Sequence, residues 1–304
     1  GDQIQAIAAS SNYQQGGIML TTRWDQGEPF NNEVPAPLPS YPCKNAHCAV
    51  GCTATAGAQV MAYWDWPPYG VSSPYSDTYD WPHMANQYQW DSGQNRWEDE
   101  NGNPLTQAHL DAVSELSHEV GVASGMIYCA NISTCESGAW PADMLSAYKN
   151  NFRYASPGSL VYYHDYTPLG WFSLLKDQFN RNWPVVWHPY PSHVVVGDGW
   201  QEYYVGTTLH REYHINYGWG NSAANAWYSL EGIGSIPGKD TSMENILINI
   251  YPAPALGWLL SGTYPAPSFP YRYFDADAWG DSATFSAGQN LQFLPGITAT
   301  CNTG

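Results

Sequence analysis

Residues 51–64, GCTATAGAQVMAYW, limit the fold of this chain more than any other stretch. One cysteine, Cys52, stands directly after a glycine and directly before a run of small helix-forming residues. Alanine-rich helices carry too little side chain to hold themselves off their neighbours. This segment therefore reads as a central helix packed closely on all sides, closed by Pro67 and Pro68. A thiol at its first position meets the free N–H groups and the positive end of the helix dipole, which favour the thiolate. Such a residue is a candidate nucleophile if the chain also supplies a base, an orienting group and an oxyanion hole.

The periodicity changes along the chain. Apolar spacing at Leu105, Leu110, Val113, Leu116 and Val120 predicts a helix over 105–121, and 141–150 and 170–181 are further helix candidates. Short β-branched and aromatic runs then follow at 184–187, 193–196, 203–205, 213–217, 226–230 and 245–251. Helices first and an antiparallel sheet second is an α+β layout. Prolines at 252, 254, 265, 267 and 270 mark a linker. Two units are expected: a domain over 1–252, and a Pro-rich linker with a short, partial β module over 253–304.

The net charge of −17, with ten Lys and Arg in 304 residues, argues against nucleic acid as a partner, because phosphate binding needs clustered cations. No apolar run is long enough to cross a bilayer. The chain opens GDQIQA, without a signal peptide, and reads as a mature form from which a targeting segment has been removed.

Of the six cysteines, Cys43 and Cys48 enclose one short loop and Cys129 and Cys135 enclose another, so two local disulfides are expected in an oxidising compartment. That leaves Cys52 and Cys301. A metal site built from Cys43, His47, Cys48 and Cys52 does not have the spacing of a zinc ribbon. The acidic 91–103 segment reads as a solvated hairpin rather than a calcium loop. No metal or cofactor is expected.

His193 begins the run HVVVGDG, and YHINYGWG follows at 213–220. A cysteine at a helix start, then a histidine and an asparagine on strands, is the order of a papain-type nucleophilic site. In that reading His193 exchanges a proton with Cys52, and Asn216 or a neighbouring aromatic fixes the imidazole. Trp219 shields that contact, and the Cys52 N–H with a side-chain amide binds the oxyanion. Asp198 reads as a strand-end turn former. His214 shares a strand face with Asn216, and His188 is a weak candidate for the cleft.

At this point the chain resembles the streptopain-type cysteine peptidases, a branch of the papain-like fold. The resemblance runs in order through RWDQGEPFNNEVP, GCTATAGAQVMAYWDWP, YDWPHM, VGVASGMIY, SGAW, NWPVVW, SHVVVGDGW and YHINYGWG, over most of 18–235. It implies a nucleophile at Cys52, a base at His193 and an oxyanion-binding amide at Gln26. It also implies an imidazole-orienting group at Asn216 beside the aromatics Tyr217 and Trp219. Ser137 and Gly138 would border the substrate cleft. Ser192 stands where the family usually has glycine, and Tyr217 replaces a tryptophan, adding a hydroxyl that needs a partner.

The resemblance implies a secreted or cell-surface endopeptidase acting on protein or peptide substrates through a thioester acyl-enzyme. It further implies a precursor with an inhibitory N-terminal propeptide. The contrasting expectation is a catalytically inactive protein on the same scaffold, used for surface binding or structure.

Overall fold

In the computed structural model, the described residues are 18–189, 193–229 and 243–253, with short strand segments at 262–264, 273–274, 283–285 and 292–293. Four helices are present among them: α1 (Cys52–Trp64), α2 (Gln107–Ala123), α3 (Pro141–Asn150) and α4 (Pro168–Asn180). Each starts where local chemistry lets it. Thr106 and His109 form a reciprocal cap at the start of α2. The Thr167 side chain accepts the Gly170 N–H, so α4 begins two residues earlier than apolar spacing alone suggests.

The main sheet has six antiparallel strands: β5 (Ser159–Tyr162), β6 (Val185–His188), β7 (Val195–Val205), β8 (Thr208–Asn216), β9 (Ala226–Ser229) and β10 (Asn245–Ile248). Their spatial order is β5-β10-β6-β7-β8-β9. Two small hairpins precede it, β1 (Gln89–Asp91) with β2 (Arg96–Glu98), and β3 (Ile127–Asn131) with β4 (Glu136–Gly138). The first confirms a hairpin in the acidic segment.

Strand alternation divides the core between the two sheet faces. Val186, Val196 and Leu247 join the cluster around α1, with Ala54, Ala58, Val60 and Met61. Their neighbours Val185, Trp187, Val195, Ile246 and Ile248 join Trp171, Phe172, Leu175 and Phe179 of α4. The sheet is therefore sandwiched, which is why its strands read as continuous apolar runs rather than alternating ones. Helix α1 is buried along nearly its whole length, as its small residues predict.

Backbone bonds run from Ala155 N to Tyr251 O and from Ala253 N to Arg153 O, so the strapped part of the domain reaches Ala253. Beyond it, β11 (Gly262–Tyr264) pairs with β13 (Ala283–Phe285), and β12 (Tyr273–Phe274) with β14 (Gln292–Phe293), both in parallel. A strand thus lies inside the segment that its prolines mark as linker. Cys301 and Ser192 lie outside the described residues.

The disulfides differ from the sequence expectation. Cys43 pairs with Cys135 and Cys48 with Cys129, so neither short loop is closed on itself. The 43–49 loop docks along the β3–β4 hairpin through Cys43 N to Ile132 O (3.2 Å) and Ala49 N to Cys135 O (2.9 Å). Both hairpin cysteines have positive φ, 51° and 61°, and their side chains meet the docked loop rather than each other.

Candidate active site

Three distant segments converge at the N-terminus of α1. Gly51, its N-cap, has φ 91°, and a Cβ there would lie 2.5 Å from Met126 Sδ. Only glycine fits this sharp entry, which is what puts Cys52 at the helix start. The carbonyl of Gln26 accepts the Val50 N–H (2.9 Å) and holds the 24–26 segment beside it. Thr53 Oγ1 donates to Ala139 O (2.7 Å), fixing the other wall.

Cys52 is unpaired and part-buried. Burial pushes its thiol up, while the backbone N–H groups of Val194, Thr53 and Cys52 act in the opposite direction without prevailing. Helix-start chemistry alone favours the thiolate, so desolvation is the effect that wins at rest. His193 is lowered by burial, opposed by its hydrogen bond to Tyr217. Burial thus favours the neutral thiol and the neutral imidazole. A proton passing between them produces opposite charges that stabilise each other.

His193 Nε2 lies 2.7 Å from the Tyr217 carbonyl oxygen. A carbonyl can only accept, so Nε2 carries the proton and Nδ1 is left as the basic nitrogen. The imidazole is flanked by Tyr217 (ring centroids 5.6 Å apart, planes 20° apart) and by Trp219 (4.7 Å, 37°). Trp219 is 46% exposed and forms the outer cover.

Asn216 does not hold the imidazole through its side chain. Its Nδ2 donates to Thr22 O (2.7 Å) and Gln59 Oε1 (3.1 Å), and its Oδ1 accepts from Gln59 Nε2 (3.3 Å) and Gly218 N (3.0 Å). Gln59 Oε1 also accepts from Thr22 Oγ1 and Trp24 N. This buried amide pair knots the 22–24 segment, α1 and the end of β8 together, and so sets where the Tyr217 carbonyl sits. The added Tyr217 hydroxyl finds Tyr228, whose own hydroxyl donates to Ala224 O (2.7 Å).

The resulting cleft has a volume of about 470 Å³, within the range of ligand-binding pockets. Gln26, Cys52, Ser137, His193, Tyr217 and Trp219 all line it. Glu136 also lines it, while Gly138 follows in the same strand outside the lining. His188 is outside it too, buried against Asn245 and the Trp140 ring.

The sequence reading missed two supports. Gln59 has no signal beyond its place in the helix, about two turns from Cys52. Asp198 is not a turn former. It is fully buried in β7 beside a bulge, accepts His214 Nδ1 (2.6 Å) and Leu20 N (3.1 Å), and fastens the entry segment to the sheet. His214 indeed shares the face of Asn216, where its partner is Asp198.

Residues 24–228, more than half of the chain, match the model of the Peptidase C10 family. The chain belongs to that family, the streptopain-type cysteine peptidases. It is 25% identical over 234 residues to streptopain of Streptococcus pyogenes, covering 69% of this chain and 54% of the relative. It is 27% identical over 245 residues to the thiol protease/hemagglutinin PrtT of Porphyromonas gingivalis, covering 76% and 26%. The chain therefore spans about half the length of the streptopains it matches, and less of the larger relative. The active wild-type interpain A cysteine protease of Prevotella intermedia superposes with a TM-score of 0.59 at 23% identity, over 77% of this chain and 94% of that one. That similarity establishes the papain-like fold.

Proposed function

We propose that this chain is an active thiol endopeptidase that cleaves peptide bonds through a thioester acyl-enzyme. The observation that carries the reading is the 2.7 Å contact between His193 Nε2 and the Tyr217 carbonyl oxygen. The Tyr217 carbonyl fixes the proton on Nε2, leaving Nδ1 as a base in the cleft that holds the free thiol of Cys52. Cys52 loses its proton to His193 and attacks the substrate carbonyl carbon. The oxyanion that forms is held by the Cys52 N–H and the Gln26 side-chain amide. The imidazolium gives its proton to the leaving amine, and water then cleaves the thioester with His193 again as base. Tyr217 and Trp219 keep the ring in plane and dry. Asn216 acts through the backbone it positions. Ser137, which lines the cleft, borders the substrate chain.

Two disulfides support residence in an oxidising, extracellular setting. A precursor with an N-terminal pro-segment is the further expectation, and the name prointerpain A attaches such a form to a protein with this fold. Protein and peptide substrates fit an open cleft of this size.

The test is covalent labelling. A papain-type epoxide should add once to wild-type protein, at Cys52, with Cys52→Ala unlabelled and His193→Ala labelled far more slowly. Folded protein that fails to react, and that leaves unfolded casein uncut, would favour the inactive binding scaffold instead.

A further inference from the structure

The cleft lining contains one carboxylate among the described residues, Glu136, and no role above uses it. It sits in β4 beside Ser137, on the wall that Thr53 ties to the nucleophile helix through Ala139. Its setting is constructed. The neighbouring Cys135 is fully buried, bridged to Cys43, and its carbonyl accepts the Ala49 N–H. Glu136 itself is paired across the hairpin with Asn131.

The side chain is anchored. Thr134 Oγ1 (2.8 Å) and Asn131 Nδ2 (3.2 Å) both donate to Oε2, which leaves Oε1 without a protein partner among the described residues. No Lys, Arg or His forms an ion pair with it among those residues. A solvated surface glutamate would normally be free to rotate. This one is held at two points by its own turn, and it lines a cleft whose other lining residues carry no carboxylate.

Resting on the peptidase reading, we propose that Glu136 is a specificity-determining residue whose carboxylate forms a subsite for a Lys or Arg side chain of the substrate. Guanidinium and ammonium groups are the peptide side chains that complement a carboxylate with one free oxygen. The chain's net charge of −17 also draws cationic peptides toward the surface. Glu136 is exposed, so the contribution is modest: an ion pair of this kind changes affinity by about two- to fivefold.

The test uses matched fluorogenic peptides carrying Arg, Lys, Gln or norleucine at each of three positions on either side of the scissile bond. The readout is the kcat/KM ratio of the Arg to the Gln peptide, which cancels any general loss of activity. At one position that ratio should exceed unity by about two- to fivefold and fall with added salt. It should drop to near one in Glu136→Gln and below one in Glu136→Lys. A wild-type enzyme that takes the epoxide on Cys52 and cuts peptides, yet prefers a basic residue nowhere, would overturn the proposal. So would a preference that survives Glu136→Gln. Protein that neither takes the epoxide nor cuts any peptide would overturn the peptidase reading, and this subsite with it.

Discussion

The two disulfides cross-link the same pair of segments, and this makes their contributions interdependent in a calculable way. Cys43–Cys135 spans 92 residues of chain and Cys48–Cys129 spans 81. Taken alone, either bridge closes a loop whose entropy corresponds to about 4.6 kcal/mol of destabilisation of the unfolded chain. Once one bridge exists, the second closes a ring of only about a dozen residues, made of 43–48, 129–135 and the first bridge, worth about 3 kcal/mol. Removing either bridge alone should therefore cost about 3 kcal/mol, and removing both about 7 to 8 kcal/mol, more than the sum of the single losses. The pairing that the short spacings suggest closes two independent loops of about five or six residues, worth about 2 kcal/mol each, and its losses would simply add. Urea unfolding of Cys43→Ser/Cys135→Ser, Cys48→Ser/Cys129→Ser and the fourfold variant, all in a Cys52→Ala background, separates the two patterns. Additive losses summing to about 4 kcal/mol, or a non-reduced peptide map that joins Cys43 to Cys48, would refute the reasoning.

Two further outcomes are expected. Asn216→Ala should lose about 3 kcal/mol of stability, because the Thr22 carbonyl, the Gly218 N–H and one end of Gln59 are left buried without it. In the folded fraction kcat should fall about ten- to a hundredfold with little change in KM, as the Tyr217 carbonyl that holds His193 shifts; paired urea and steady-state measurements check both. The second concerns Asp77, Glu115 and Glu119, whose carboxylates cluster within 4.8 Å. Burial, with its acidic neighbours adding to it, raises Glu115 to about 7. Burial also raises Glu119 to about 7, although Glu119 accepts the Tyr79 hydroxyl (2.6 Å). Raised carboxylates bind more protons in the folded state, so their stabilisation is complete below the ordinary Glu value and is lost as pH rises from about 4.5 to about 7. Allowing for solvent access, the loss is about 2 kcal/mol, and Glu119→Gln should flatten the dependence of the urea midpoint on pH across that window.

The parts of the fold legible in the sequence are those fixed by local chemistry. Small residues after Gly51 specify a helix that must be buried, whatever surrounds it. β-branched runs specify strands, and the order Cys52, His193, Asn216 is itself a sequence property. Pairings between distant segments were not legible. Four cysteines in two short loops are compatible with three connectivities, and only the docking of 43–49 along the β3–β4 hairpin selects one. Asp198 was misread for a related reason. An Asp between two glycines has turn composition, but here the bulge between Gly197 and Gly199 lies inside a long buried strand, and the carboxylate finds His214 across it.

The role of Asn216 shows why residue types in the right order still leave the mechanism of positioning open. A strand asparagine near a histidine suggests a direct side-chain bond, yet this side chain faces Gln59, and the imidazole is held by the next residue's backbone. A carbonyl is a more constrained partner than an amide. It cannot flip, and it accepts but never donates, so it excludes the wrong tautomer outright. The cost is that its position depends on everything that holds the chain at 216–220: Gln59 on Asn216, Asn225 on the Tyr217 N–H (2.8 Å), and the positive φ of Gly218 beside Thr55. The site is therefore only as rigid as the knot between the entry segment, the nucleophile helix and β8. Substitutions at Gln59 or Asn225, which line no part of the cleft, should weaken the hold on His193 as Asn216→Ala does, through the same displaced carbonyl.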